Sequence, residues 1–125
     1  MRVSCGTDII EIERIKESIE KSGDSFLNRV FTKKEIEYCE SKKKQKYQHY
    51  AARFAAKEAA FKALSWKLND KYSVSWKDFE LVNNKQGRPE LNIIGINLDD
   101  VENIDVSISH CKEYAIANVT VLEEI

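Results

Sequence analysis

Arg53-Phe54-Ala55-Ala56-Lys57-Glu58-Ala59-Ala60-Phe61-Lys62-Ala63-Leu64 reads as a helix packed on all sides. At about 100° per residue, Phe54 and Phe61 nearly coincide in projection, Glu58 falls close beside them, and Lys62 lies one turn beyond Glu58. Arg53 and Lys57 fall on the far side of the two phenylalanines. Ala52, Ala56, Ala59 and Ala63 form a stripe of small side chains that lets another backbone approach closely. An ionised Glu at the edge of such a face loses hydration, so a metal, a cation or hydrogen bonds must replace the water. Lys62 could do so as a surface pair four residues away, worth about 0.2–0.5 kcal/mol. The helix by itself leaves both readings open.

The rest of the chain sets the frame. Its 125 residues include one Pro and four Gly and are 42% hydrophobic, which argues for a single folded domain over residues 1–125 and against disorder. No apolar run approaches the roughly 20 residues needed to cross a bilayer. Met1 to Asp8 lacks the apolar core of a secretion signal and reads as strand, so a cytoplasmic protein is expected, without a membrane partner. Cys5, Cys39 and Cys111 are odd in number and far apart, which suggests reduced packing residues rather than a zinc or redox centre. Charge is uneven: Arg29 to Lys62 holds ten Lys or Arg against four Glu, a local +6 in a chain of net charge -1. A basic middle in a neutral protein favours a small polyanion or an acidic protein over nucleic acid.

Local patterns order the elements. Val3 to Ile10 reads as a strand, and Ile12, Ile15 and Ile19 recur at helical spacing until Gly23 supplies a stop. Thr32 and Glu35 make a capping box for a helix to about Ser41. A basic loop precedes the long helix, expected from about Gln45 to Leu68, where Asn69-Asp70 breaks it. From Tyr72 the character changes: Val74 to Val82 and Glu90 to Ile94 read as a hairpin around the turn residues Asn83 to Pro89. A polar stretch over 97–103 leads to the alternating strand Asp105 to His110, which pairs with Tyr114 to Leu122 as a second hairpin. The expected fold class is α+β, a small antiparallel sheet packed on helices.

Three distant segments place polar groups at conspicuous positions: Asp8 at a strand end, Glu58 with Lys62 on the helix, and Ser109 with His110 at a hairpin end. Asp8 alone could cap the first helix. Taken together, two carboxylates with water make a hard oxygen site suited to magnesium, while Lys, Arg and His suit phosphate oxygens. Gly6 and Gly87 are isolated, so no glycine-rich phosphate loop is present.

The segments Gly6-Thr7-Asp8-Ile9-Ile10-Glu11, Phe31-Thr32 with Glu35, Arg53-Phe54-Ala55-Ala56-Lys57-Glu58-Ala59 with Lys62, Gly87-Arg88-Pro89 and Ser107-Ile108-Ser109-His110 resemble the holo-acyl-carrier-protein synthase family of phosphopantetheinyl transferases. They occur in family order across nearly the whole chain. The resemblance implies the phosphopantetheinyl transferase fold and transfer of the phosphopantetheine arm from coenzyme A to a serine of apo acyl carrier protein, with magnesium as cofactor. By motif position it implies Asp8 and Glu58 as metal ligands and Lys62 on the phosphates, these three being the catalytic set. It further implies Arg53, Lys62, Gly87, Pro89, Ser109 and His110 around coenzyme A, and Arg14 with Lys21 on the carrier-binding surface. The serine proton would pass to a metal-bound water, Asp8 or Glu58. Family members are trimers with active sites between subunits, so a homotrimer is expected. Two positions depart from the pattern: Cys111 stands where a hydroxyl residue is common, and Asp24 where some relatives carry a basic side chain.

Overall fold

The computed structural model describes residues 1–68 and 74–124. The chain enters on β1 (Arg2–Glu11) and passes straight into α1 (Ile12–Ser22), whose Ile12, Ile15 and Ile19 are buried as their spacing requires. Gly23, at a φ of 52° that a side chain would strain, closes α1 by donating to the Ile19 carbonyl. It does not stop the helical region, because α2 (Asp24–Val30) follows at once and buries Phe26 and Val30. Seven residues with two buried apolar positions are too short for a periodicity reading, so this helix is absent from the sequence expectation. α3 (Lys33–Ser41) begins at the Thr32 and Glu35 capping box, with both reciprocal bonds formed.

A single-turn 3₁₀ segment (Lys43–Gln45) precedes α4 (Lys46–Leu64). The helix thus starts one residue late and ends four residues short of the expected Leu68. Beyond Leu64 the backbone tightens: Ser65 donates to the Lys62 carbonyl and Lys67 to that of Leu64, three residues back. Trp66 swings outward, and its ring carries the Arg2 guanidinium 4.0 Å from its centroid. The expected break at Asn69-Asp70 and the change at Tyr72 lie outside the described residues.

After a second 3₁₀ turn (Trp76–Asp78) come β2 (Phe79–Asn83), β3 (Pro89–Ile93), β4 (Val101–His110) and β5 (Tyr114–Glu123). β2 starts five residues later than expected, because Ser75 and Asp78 make a capping box that commits 76–78 to a turn. β4 starts earlier, at Val101, across an irregularity in register between Val101 and Asn103. Both expected hairpins form, but not in one sheet. β5 lies between β1 and β4 in an antiparallel three-stranded sheet, while β2 and β3 pair separately. The α+β architecture therefore holds with two small sheets around α4.

The small side chains of α4 explain the packing. Ala55, Ala56, Ala59, Ala60 and Ala63 are buried against Ala117, Val119 and Val121 of β5. Along β1, Ser4, Gly6, Asp8 and Ile10 turn toward the helix, and Val3, Cys5, Thr7 and Ile9 turn to solvent. Gly6 sits where the strand crosses the helix: a Cβ there would lie 2.0 Å from the Ala59 carbonyl oxygen and 2.7 Å from the Ala63 nitrogen. Both obstacles are backbone, so neither can rotate away.

The second anchor is ionic. Lys57 and Glu35 are fully buried and 2.7 Å apart, and Lys57 Nζ also donates to the Trp76 and Phe79 carbonyls. Glu35 further accepts from the Thr32 and Leu81 amides, and the Thr32 hydroxyl donates to Glu80. One lysine thus joins α3, α4, the 76–78 turn and β2. Burial pushes the Lys57 ammonium below its ordinary value, with the Glu35 carboxylate opposing that shift. Cys39, buried beside this network, has its thiol pushed up to about 12, chiefly by burial, and is a packing residue.

Two variants measure these anchors by denaturant unfolding. Gly6→Ala is expected to cost about 3 kcal/mol or more, through overpacking against backbone. Lys57→Met strands a buried Glu35 charge and is expected to cost about 3–5 kcal/mol, while the paired change Lys57→Met with Glu35→Leu recovers part of that loss.

Candidate active site

β1 and α4 converge where Asp8 and Glu58 line one open cavity of about 700 Å³. The two residues are fifty apart in sequence and meet because Gly6 lets the strand press onto the helix. Asp8 lies within β1, opposite Ala117, so it does not cap α1; the first amide of that helix, Ile12, donates instead to the Glu113 carbonyl at 2.8 Å.

Lys62 pairs with Asp8, not with Glu58. Its Nζ lies 3.2 Å from Asp8 Oδ1 and donates to the Thr7 carbonyl at 3.0 Å. The i, i+4 pair considered from the sequence does not form, because the strand beneath the helix offers Lys62 two acceptors, the Asp8 carboxylate and the Thr7 carbonyl. Glu58 receives a different donor: Trp76 Nε1 lies 3.1 Å from Glu58 Oε1. Among the described residues, no donor reaches the second oxygen of either carboxylate.

Those free oxygens suit a hard divalent cation. Among the described residues there is no group of three or more His, Cys, Asp or Glu that could form a closed protein cage. Two carboxylates facing an open cavity fit magnesium, which keeps several waters and takes its remaining ligands from substrate phosphates. Arg14 and Lys21, two turns apart on α1, line the same cavity. Both are exposed, and Glu11 and Glu17 share the wall with them, so the rim carries charges of both signs.

A second cavity of about 460 Å³ is lined by Lys34, Tyr38, Arg53, Asn83, Lys85 and Gly87, with no carboxylate on its wall. Arg53 is buried; Nη2 donates to Asn83 Oδ1 at 2.9 Å, its guanidinium lies 4.1 Å from the Tyr38 ring centroid, and Nε has no partner among the described residues. Asn83 in turn donates to the Gly87 carbonyl, where φ is 84°, so the β2–β3 turn is wired to Arg53. Three cations without a counter-charge make this wall attractive to phosphate.

His110 reaches toward this cavity through an aromatic row: its ring is 6.2 Å from His49, whose ring is 5.5 Å from Tyr38. The remaining candidates stand apart. Ser109 is exposed opposite Ile116 on β5, and Pro89 lines a separate groove with Ser107. Asp8, Glu58, Lys62, Arg14 and Lys21 thus converge within one chain. Arg53 and Gly87 form a second group with His110 linked to it, and Pro89 and Ser109 join neither.

Comparison with known proteins gives this arrangement a family. The sequence profile described as the 4'-phosphopantetheinyl transferase superfamily matches residues 4–119. The chain belongs to that superfamily. The holo-[acyl-carrier-protein] synthase of Ruminiclostridium cellulolyticum is 43% identical over 122 residues, covering 94% of this chain and 90% of the relative. That of Protochlamydia amoebophila is 45% identical over 119 residues, with 94% and 95% covered. Among solved structures, a synthase–coenzyme A complex from Chronobacterium ammoniagenes superposes with a TM-score of 0.86 at 25% identity, over 100% of both chains. The Helicobacter pylori synthase in complex with coenzyme A gives 0.82 at 30% identity, over 94% of this chain and 99% of that one. This transferase chain therefore carries the family's fold through its whole described length.

Several wall residues escaped the sequence reading. Trp76, Lys34 and Lys85 are among them, and the buried pairing of Glu35 with Lys57 was missed as well. A lysine centred in an otherwise apolar, alanine-rich stretch was a usable signal for Lys57, since a buried ammonium must have a counter-charge. The Ser75 and Asp78 spacing was a signal for the turn that presents Trp76.

His49 supplies a pH test. Burial, and then the charges of Arg53, Lys42 and His110, hold its imidazole below the ordinary value of 6.5. A histidine whose folded pKa is depressed costs nothing while both states are neutral, and destabilises as pH falls below 6.5 and the unfolded chain takes up the proton first. Urea midpoints measured from pH 7.5 to 5 should therefore fall further for the wild-type chain than for His49→Phe.

Proposed function

We infer that this transferase chain is a holo-acyl-carrier-protein synthase. It moves the 4'-phosphopantetheine arm of coenzyme A onto a serine of apo acyl carrier protein and releases adenosine 3',5'-bisphosphate. The observation that carries this reading is the meeting of Asp8 and Glu58 in one cavity with Arg14 and Lys21 on its rim. A phosphate centre and cationic contacts for the carrier are both needed, and they adjoin.

The serine oxygen forms a bond to the phosphorus bearing the pantetheine arm, and the bond from that phosphorus to the bridging pyrophosphate oxygen breaks. The serine proton passes to a carboxylate or to solvent within the same cavity. Magnesium, held by Asp8 and Glu58, supplies charge neutralisation and orientation at the pyrophosphate. Lys62, already fixed on Asp8, adds a positive charge beside the leaving group. Arg53, Gly87, Pro89, Ser109 and His110 hold the nucleotide half of coenzyme A, with Arg53 and His110 taking its 3'-phosphate. Support for this comes from the carboxylate-free cationic cavity, whose Arg53 Nε still lacks a partner. Arg14 and Lys21 receive the acidic carrier, so docking weakens as salt rises.

We further propose that the chain, acting as one catalytic domain, works as a homotrimer with sites between subunits. Val3, Ile9, Tyr114 and Ile116 are exposed on the sheet face opposite α4, an apolar surface that a second copy would cover. The separation of the Pro89 and Ser109 positions from the Asp8 cavity within one chain also favours a site completed by a neighbour. No described helix is long and apolar enough to cross a membrane. The three unpaired cysteines support a cytoplasmic setting.

The test is mass spectrometry of apo acyl carrier protein after incubation with coenzyme A and magnesium, with and without chelator. Arm addition that chelation abolishes is expected, and Asp8→Asn or Glu58→Gln should lower the rate at least about 100-fold with the melting temperature preserved. A carrier that binds but is never modified would overturn the transferase reading in favour of a binding module.

A further inference from the structure

Trp76 is tied to α4 at three points. Its carbonyl accepts from Lys57 Nζ at 3.0 Å, its ring stacks on Phe54 with centroids 6.2 Å apart and planes at 29°, and its Nε1 donates to Glu58 Oε1. Lys57 and Glu58 are adjacent in sequence. The helix therefore grips the 76–78 turn with one side chain, and the turn returns its indole to the next. The Ser75 and Asp78 capping box fixes the turn's own backbone.

We propose that Trp76 is a positioning residue, setting Glu58 for a divalent cation by engaging Oε1 and leaving Oε2 to face the metal. This rests on the metal reading of Asp8 and Glu58 given above and extends it to a residue outside the motifs that led there. The donor type matters. An indole N–H only donates and never carries charge, so it orients the carboxylate without neutralising it or changing with pH. A lysine there, as Lys62 is for Asp8, would compete with the cation for the same negative charge. Glu58 is half-buried at the edge of α4 with three side-chain torsions to order, and a prior hydrogen bond removes part of that cost before the ion arrives.

The experiment compares full-length wild type, Trp76→Phe and Trp76→His at pH 8, reading Mn²⁺ binding from the electron paramagnetic resonance signal of the free ion. Phe keeps the stack on Phe54 and loses the donor; His keeps a ring N–H at nearly the position of Nε1 and loses the larger ring. Expected is about tenfold weaker Mn²⁺ binding for Trp76→Phe, recovery toward wild type for Trp76→His, and an unchanged melting temperature. In carrier labelling, the Mg²⁺ concentration for half-maximal rate should rise by a similar factor in Trp76→Phe, exceeding any fall in rate at saturating Mg²⁺. Equal Mn²⁺ affinity in Trp76→Phe and wild type overturns the proposal, as does equal weakening by Phe and His, which would assign the effect to ring packing. If the wild-type chain binds no Mn²⁺ either alone or with coenzyme A present, the metal reading itself fails and takes this inference with it.

Discussion

The buried contact between Lys57 and Glu35 is the constraint on which the arrangement of the site depends. Desolvating both charges is expensive, and the cost is offset only because every polar atom of the pair has a partner: two carbonyls besides Glu35 for the ammonium, two backbone amides for the carboxylate. That completeness forces geometry. The carbonyls belong to the 76–79 segment, one amide to Leu81 of β2 and the other to the start of α3. None of these elements can shift against α4 without exposing an unpaired charge. A core of alanines alone would be less demanding, since small apolar side chains tolerate sliding better than a satisfied ion pair does.

A second constraint acts on the other side of the same helix. Gly6 is the point at which β1 touches α4 through backbone, and Asp8 is two residues farther along the same face of the strand. Close approach there brings Asp8 within reach of Lys62, one turn beyond Glu58. The alanine stripe and the glycine are complementary halves of one contact, and the cavity opens where that contact ends. Both carboxylates are therefore held by elements whose positions are over-determined, one by steric approach and one through the ion-pair network.

Much of this was written in local patterns. The capping box at Thr32, the isoleucine spacing of α1, the alternation of β4 and the turn residues before Pro89 act over a few residues, so they can be read without the rest of the chain. α2 and the split into two sheets could not be. They depend on which apolar residues find partners from distant segments. The same division applies to the site. Asp8, Glu58 and Lys62 were marked by type and motif, but the pairing of Lys62 with Asp8 was not among the pairings the helix offered. Helical spacing describes only neighbours on one helix, and the better acceptor came from a strand more than fifty residues away.

The unequal partners of the two carboxylates have a consequence for catalysis. Asp8 shares its charge with an ammonium, whereas Glu58 accepts from a neutral indole and retains its full charge. A cation between them would meet one partly compensated ligand and one uncompensated ligand. With Asp8 and Glu58 as its protein ligands, its binding would remain modest until phosphate oxygens completed the coordination. Such a centre loads fully only when the charged substrate is present. Placing Lys62 on Asp8, and Arg14 and Lys21 beside Glu11 and Glu17 on the cavity wall, follows the same logic: the positive charge that weakens the site for a bare metal ion strengthens it for a metal bound to pyrophosphate, and for the acidic partner that receives the group.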